Sequence, residues 1–180
     1  LWFATGQSST THGYASGGGL DPGTTSLNTI SKFLFTTDTN ATDVGDTATN
    51  TGRAAGQSST TFGYISGGGQ SGAPVDKNTI EKFPFASDTN ATDVGDLSVA
   101  RERATGHSSM THGYTAGGTA YLANNPFSNI IDKYSFSSTG STSDVGDLTS
   151  VRADHCVGAS SATHGYVVGG YNGVPPIFND

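Results

Sequence analysis

Positive charge, cysteine and long apolar runs are all scarce in this chain. Eight Lys and Arg stand against 15 Asp and Glu, for a net charge of −7. That leaves too few cations to line a phosphate groove, so no nucleic-acid partner is expected. Cys156 is the single cysteine, which excludes an intrachain disulfide and a thiolate metal cluster. No stretch approaches the ~18 apolar residues that a membrane-crossing helix needs, so insertion into a bilayer is not expected. Charged residues are only 13% of the chain, and the scarcity of Glu, Lys and Leu argues against amphipathic helices.

What is present points to strands and turns. There are 26 Gly, 9 Phe and 7 Tyr among abundant Ser and Thr. Runs such as "HGYASGG" and "NTISKFLF" are short, β-branched or aromatic, and bounded by Gly, Asp and Asn, which reads as all-β. One phrase comes four times: "GQSSTTHGY" at 6–14, "GQSSTTFGY" at 56–64, "GHSSMTHGY" at 106–114 and "GASSATHGY" at 158–166. Tyr14, Tyr64, Tyr114 and Tyr166 are spaced by 50, 50 and 52 residues, and Lys32, Lys82 and Lys133 by 50 and 51. A period near 50 with several strand signals in each copy is what a propeller blade of four antiparallel strands requires. In the copy that starts at Arg101 the expected strands are 101–108, 113–116, 128–136 and 144–148. The copies fall at approximately 1–50, 51–100 and 101–151, with a partial one at 152–180.

The order "HGYTAGG", "IIDKYSF", "DVGDLTSVR" resembles the kelch repeat. Its double glycine at the end of the second strand matches Gly17-Gly18, Gly67-Gly68, Gly117-Gly118 and Gly169-Gly170, and its third-strand aromatic matches Phe33, Phe83 and Tyr134. The kelch tryptophan near the fourth strand is missing, and Val44, Val94 and Val145 stand there. Tandem copies of the "DTNATDVGDL" type also look like kelch-like repeats of tailed-phage virion proteins. The expected fold is therefore a kelch-like β-propeller segment of about three and a half blades. Propellers close with about 4 to 8 blades, so a fragment of a longer propeller is expected, with an open strand edge that invites pairing.

The physical reasons for the motif do not need the family. Glycine pairs permit the positive φ of a crowded turn. Phe33 with Phe35, and Phe83 with Phe85, sit two apart on one strand face and can pack between blades. Small first-strand residues suit a narrow inner wall.

Residues that recur in every copy read as structural, because a catalytic site breaks a repeat instead of obeying it. Asp43, Asp93 and Asp144, with Asp46, Asp96 and Asp147, are expected to cap turns around the intervening glycine, with Arg101 or Arg152 as partners across the blade junction. "DTNATDVGD" at 38–46 and 88–96 has oxygens at calcium-loop spacing, but the third copy reads "TGSTSDVGD", and a plain turn accounts for all three. Asn40 and Asn90 fit the glycosylation pattern in a surface loop. His12, His112 and His164 occupy a turn in which one copy carries Phe62, so an aromatic slot explains them better than chemistry. His155 and Cys156 are neighbours on a strand and point to opposite faces; Cys156 is expected to be a small buried residue.

Function is expected in the parts that do not repeat: the loops at 20–27, 70–77, 119–127 and 171–178. Tyr121, Asn124, Asn125, Phe127 and Tyr171 offer aromatic stacking and amide hydrogen bonds to a sugar or protein surface. The reading is a non-catalytic structural or recognition module without cofactor or metal. Its expected partners are other protein subunits, a homo-oligomer among them, or a host-surface glycan or protein. The phage resemblance implies a virion fibre, decoration or host-recognition component; an extracellular carbohydrate- or protein-binding propeller is the alternative. A galactose-oxidase-like enzyme shares the kelch fold, but Cys156 alone does not make its copper, tyrosine and histidine constellation.

Overall fold

The computed structural model describes residues 3–20, 25–70, 76–120, 127–138 and 140–171. All regular structure among them is β. The first sheet is β1 (Thr5–Ser8), β2 (His12–Ser16), β3 (Thr29–Leu34) and β4 (Thr42–Asp46), and the second is β5 (Ala55–Ser58), β6 (Phe62–Ser66), β7 (Thr79–Pro84) and β8 (Thr92–Asp96). The third is β9 (Thr105–Ser108), β10 (His112–Ala116), β11 (Ile130–Ser135) and β12 (Ser143–Asp147), followed by a hairpin of β13 (Ala153–Ser160) and β14 (Gly165–Tyr171). Each four-stranded sheet runs in simple sequence order with antiparallel neighbours. These are three blades of a partial β-propeller, with the inner hairpin of a fourth. The strands begin and end within a few residues of expectation; the first strand is shorter, because 101–104 belong to the crossover.

The inner strands β1, β5, β9 and β13 stand side by side. Glycine makes that approach feasible. A Cβ on Gly106 would overlap the Gly56 carbonyl oxygen, and one on Gly56 would overlap that of Gly6. Serines two residues on then link neighbouring blades: the N–H of Ser8 donates to Ser58 Oγ (2.9 Å), Ser58 to Ser108 (2.9 Å) and Ser108 to Ser160 (3.1 Å). The small first-strand residues thus form the inner wall.

The glycine pairs have positive φ throughout, for example 63° and 90° at Gly17 and Gly18. What crowds them is the crossover to the next blade. Gly18, Gly68 and Gly118 donate their N–H to the carbonyls of Thr51, Arg101 and Arg152, and a Cβ on Gly17 would strike the Thr51 carbonyl.

Aromatic side chains fill the space between blades. The third-strand ring lies over a glycine of its own second strand, in the pairs Gly13 with Phe33, Gly63 with Phe83 and Gly113 with Tyr134. The next aromatic stacks on the tyrosine of the preceding blade: Phe85 on Tyr14 at 4.8 Å between ring centres, Phe136 on Tyr64 at 4.7 Å. One core holds Tyr14, Ile30, Ile65 and Phe83, the other Tyr64, Ile80, Leu97 and Tyr134, with Val44 and Val94 at their edges. Phe33 and Phe35, on the blade that none precedes among the described residues, remain 40% and 54% exposed.

Candidate functional site

The residues that repeat are consumed by structure. Asp43, Asp93 and Asp144 each accept the N–H of the glycine two residues on, at 3.1–3.2 Å. Ser9, Ser59, Ser109 and Ser161 each accept the N–H three residues on, that of His12, Phe62, His112 or His164. In the three histidine copies Nδ1 lies 2.8–2.9 Å from the preceding threonine hydroxyl. Phe62 takes the same slot with the Lys82 ammonium over its ring. Cys156 is only half-buried, with its thiol directed to the Arg103 carbonyl.

Two further expectations change. Arg101 does not pair with a fourth-strand aspartate; it meets Asp132 of the third strand at 2.9 Å, and both side chains are fully buried. Arg152 donates instead to the Gly169 carbonyl. The "DTNATDVGD" tract is also more than a turn. In the second blade Asn90 Oδ1 accepts the N–H of Asp46, Asp88 pairs with Lys32, and Ala91 enters the core. The tract clasps the preceding blade, and backbone bonds from Gly140 and Thr142 do so in the third. No group of three or more His, Cys, Asp or Glu is placed to hold a metal ion among the described residues.

The strand pairings put the second-to-third-strand loops and the crossovers at one end of the blades, opposite the serine turns. Each loop is closed at its base by a bridge: Gly19 to Ser26, Gly69 to Asp76 and Thr119 to Phe127. Tyr121, Asn124 and Asn125 lie outside the described residues. Phe127 and Tyr171, which come from different copies, meet edge to face at 5.9 Å.

At the same end, Phe3, Arg53 and Arg103 hold left-handed φ of 58–59°, a costly state for such side chains. Their backbones form a ladder, Arg53 N–H to Phe3 and Arg103 N–H to Arg53. Arg53 lies over the Phe3 ring at 4.8 Å, and Glu102 pairs with both arginines. A 220 Å³ cavity opens among these residues and Cys156.

A second cavity, of 320 Å³, lies between the third blade and the β13–β14 hairpin, walled by Tyr114, Ile131, Val145 and Leu148 on one side and Gly165 and Val167 on the other. His107 lines it at 5% exposure. Its Nδ1 is 3.1 Å from the Ala159 carbonyl. A carbonyl only accepts, so Nδ1 carries the proton and Nε2 presents a lone pair, and Nε2 has no partner among the described residues. Burial pushes the imidazole pKa down, against the raising effect of that hydrogen bond, which favours this neutral form. Sequence reasoning passed over His107. Its signal was the column Gln7, Gln57, His107, Ala159, the one inner-strand position that changes chemistry inside the repeated phrase.

Compared with protein-family models and with curated proteins, the chain matches none.

Proposed function

We propose that this chain is a non-catalytic recognition and assembly module built from kelch-like blades, and that it serves as a surface component of a virion. The observation that carries the reading is the division of labour between repeated and unrepeated residues. The repeated serines, aspartates, histidines and glycines are spent on turns, crossovers and the contacts between blades. The unrepeated loops share one end of the blades, where Phe127 and Tyr171 form an aromatic corner, and Arg53 and Arg103 line a cavity at that same end. An edge-to-face aromatic pair, with arginine donors at the same end of the blades, suits a sugar face or a protein side chain. The virion context rests on the resemblance of the "DTNATDVGDL" copies, and blades that pack on one another through repeated contacts suit an assembled particle.

The test is a glycan array probed with the purified chain, read beside the Phe127→Ala and Tyr171→Ala variants. Saturable binding to a defined set of glycans, lost in both variants while folding is retained, supports the reading. Binding that survives both substitutions removes the loop face from it. Copurification with particles distinguishes the virion setting from a secreted carbohydrate-binding propeller of cellular origin, which would act as a soluble species.

A further inference from the structure

At the loop end, the inner strands of neighbouring blades are preceded by a ladder whose backbone repeats and whose side chains do not. Two residues ahead of β1, β5 and β9, Phe3, Arg53 and Arg103 share a left-handed φ of 58–59°. The residue after each is alanine, at Ala4, Ala54 and Ala104. Arg53 donates its N–H to the Phe3 carbonyl and Arg103 donates to that of Arg53. Arg53 therefore has a described copy of the ladder on either side, and the 220 Å³ cavity around it lies among consecutive blades. Left-handed backbone is unfavourable for arginine, and such outliers concentrate at binding sites.

The lining divides by chemistry. Ala4, Ala54, Ala104 and Cys156 form its small apolar part, and Phe3, Arg53 and Arg103 form the rest. Glu102, nearly buried, meets Arg53 Nη1 at 3.2 Å and Arg103 Nε at 2.9 Å, so one carboxylate ties two guanidiniums to the same place. A guanidinium carries five N–H donors in a planar fork. Glu102 takes one terminal nitrogen of Arg53 and the Phe3 ring lies against its face at 4.8 Å; among the described residues no other side chain engages it. The Arg53 side chain is partly exposed, which leaves Nη2 for a ligand, and a planar donor fork matches a carboxylate. The Phe3 ring, about half exposed, offers an apolar face of the kind on which sugar C–H groups pack. At 220 Å³ the cavity is smaller than the ~300–1,000 Å³ of sites for drug-sized ligands, so it takes one small unit at a time.

We propose that this cavity is a subsite for the carboxylate of an acidic sugar, a uronic or sialic acid unit of a surface glycan. The carboxylate meets the Arg53 and Arg103 guanidiniums, and the sugar ring lies on Phe3 over the alanine methyls. This rests on the reading that the loop end of the blades recognises glycans, and it adds the class: glycans with a negative charge at the contacted unit.

Methyl glucuronide and methyl glucoside differ only in a carboxylate where the other has a hydroxymethyl group. Titration of each into the full chain, followed by ligand-observed NMR, isolates that group. The glucuronide should bind about tenfold more tightly, by a margin that shrinks as salt is raised. Arg53→Asn and Arg103→Asn should each cut the margin severalfold; asparagine accepts left-handed backbone, so the ladder is spared, and thermal melts check it. Arg53→Lys, which keeps the charge and loses the fork, should retain part of the margin. Equal affinities for the two sugars in the wild type overturn the proposal without any variant. So does a margin that both asparagine variants leave unchanged, or a capped Gly-Glu-Gly peptide that binds as tightly as the glucuronide, which would give the site to acidic peptides. A chain that binds neutral glycans through Phe127 and Tyr171 without preferring the glucuronide loses this subsite alone; a chain that binds no glycan loses both readings.

Discussion

Asp132→Ala should destabilise the chain far more than any surface substitution. The Asp132 carboxylate has no exposure, and its Oδ2 accepts three bonds: from Arg101 Nη1 at 2.9 Å, Ser98 N–H at 3.0 Å and Ser98 Oγ at 2.9 Å. Without it the buried guanidinium keeps, among the described residues, only the carbonyls of Val99 and Thr115, at 3.3 and 3.0 Å. Breaking one partner out of a buried ion pair costs about 3–5 kcal/mol, since the remaining charge is left uncompensated in a poorly solvating interior. A loss of about 3–5 kcal/mol is a large part of a typical domain's stability of ~5–15 kcal/mol. Urea denaturation followed by far-UV circular dichroism reads it directly. Arg101→Met with Asp132→Ala removes the charge along with its partner, and should recover at least ~2 kcal/mol of the loss. A single-variant cost under ~1 kcal/mol, or a double variant no better than the single, would refute the reasoning: the guanidinium would then be reaching water or another anion once Asp132 is gone.

Three further outcomes follow from the packing. Phe83→Ala should cost about 3–5 kcal/mol, because Phe83 is 2% exposed between blades, whereas Phe33→Ala at the same repeat position should cost well under 1 kcal/mol; equal midpoints in urea would show that the blades do not pack as described. Gly106→Ala drives a methyl into the Gly56 backbone and should cost at least ~1–3 kcal/mol, while Gly6→Ala, with its nearest neighbour 3.9 Å away, should be nearly neutral; thermal melts of the two variants decide it. Burial depresses the folded pKa of His107, so the unfolded chain gains the proton first as pH falls. The wild type should therefore lose stability relative to His107→Gln below about pH 6.5, by at most about 1.4 kcal/mol per pH unit. A stability difference that stays flat from pH 7 to about 5 would place the imidazole in contact with solvent.

Much of the fold was legible because its signals are local and repeated. Strand positions followed from short β-branched and aromatic runs, and the paired third-strand aromatics announced their shared face by a spacing of two. The double glycines announced a positive-φ turn, although the crowding that requires them comes from the crossover carbonyls, which the sequence does not locate. Candidate sites were harder. The phrase with His12 in it drew attention by repetition, yet repetition was the mark of a turn. His107 sits inside that same phrase, and its importance depends on a neighbour 52 residues away, Ala159, and on a cavity whose walls come from two sheets. The assignment of Arg101 to a fourth-strand aspartate failed for a similar reason. Several carboxylates lie within plausible reach along the repeat, and only the third-strand register brings Asp132 to it.

By itself, then, the order of residues determined the period, the four-strand blade, the glycine turns and the polar character of the loops, since each of these depends on chain neighbours within a few residues. Only the tertiary structure decided which equivalent residues have equivalent surroundings. Phe33 and Phe83 carry the same pattern, but one is half exposed and the other buried, and Gln57 and His107 occupy one column, but among the described residues only Gln57 has a phenol against it. Burial is set by what the next blade brings, and a repeat cannot encode in its own letters whether a neighbour is there.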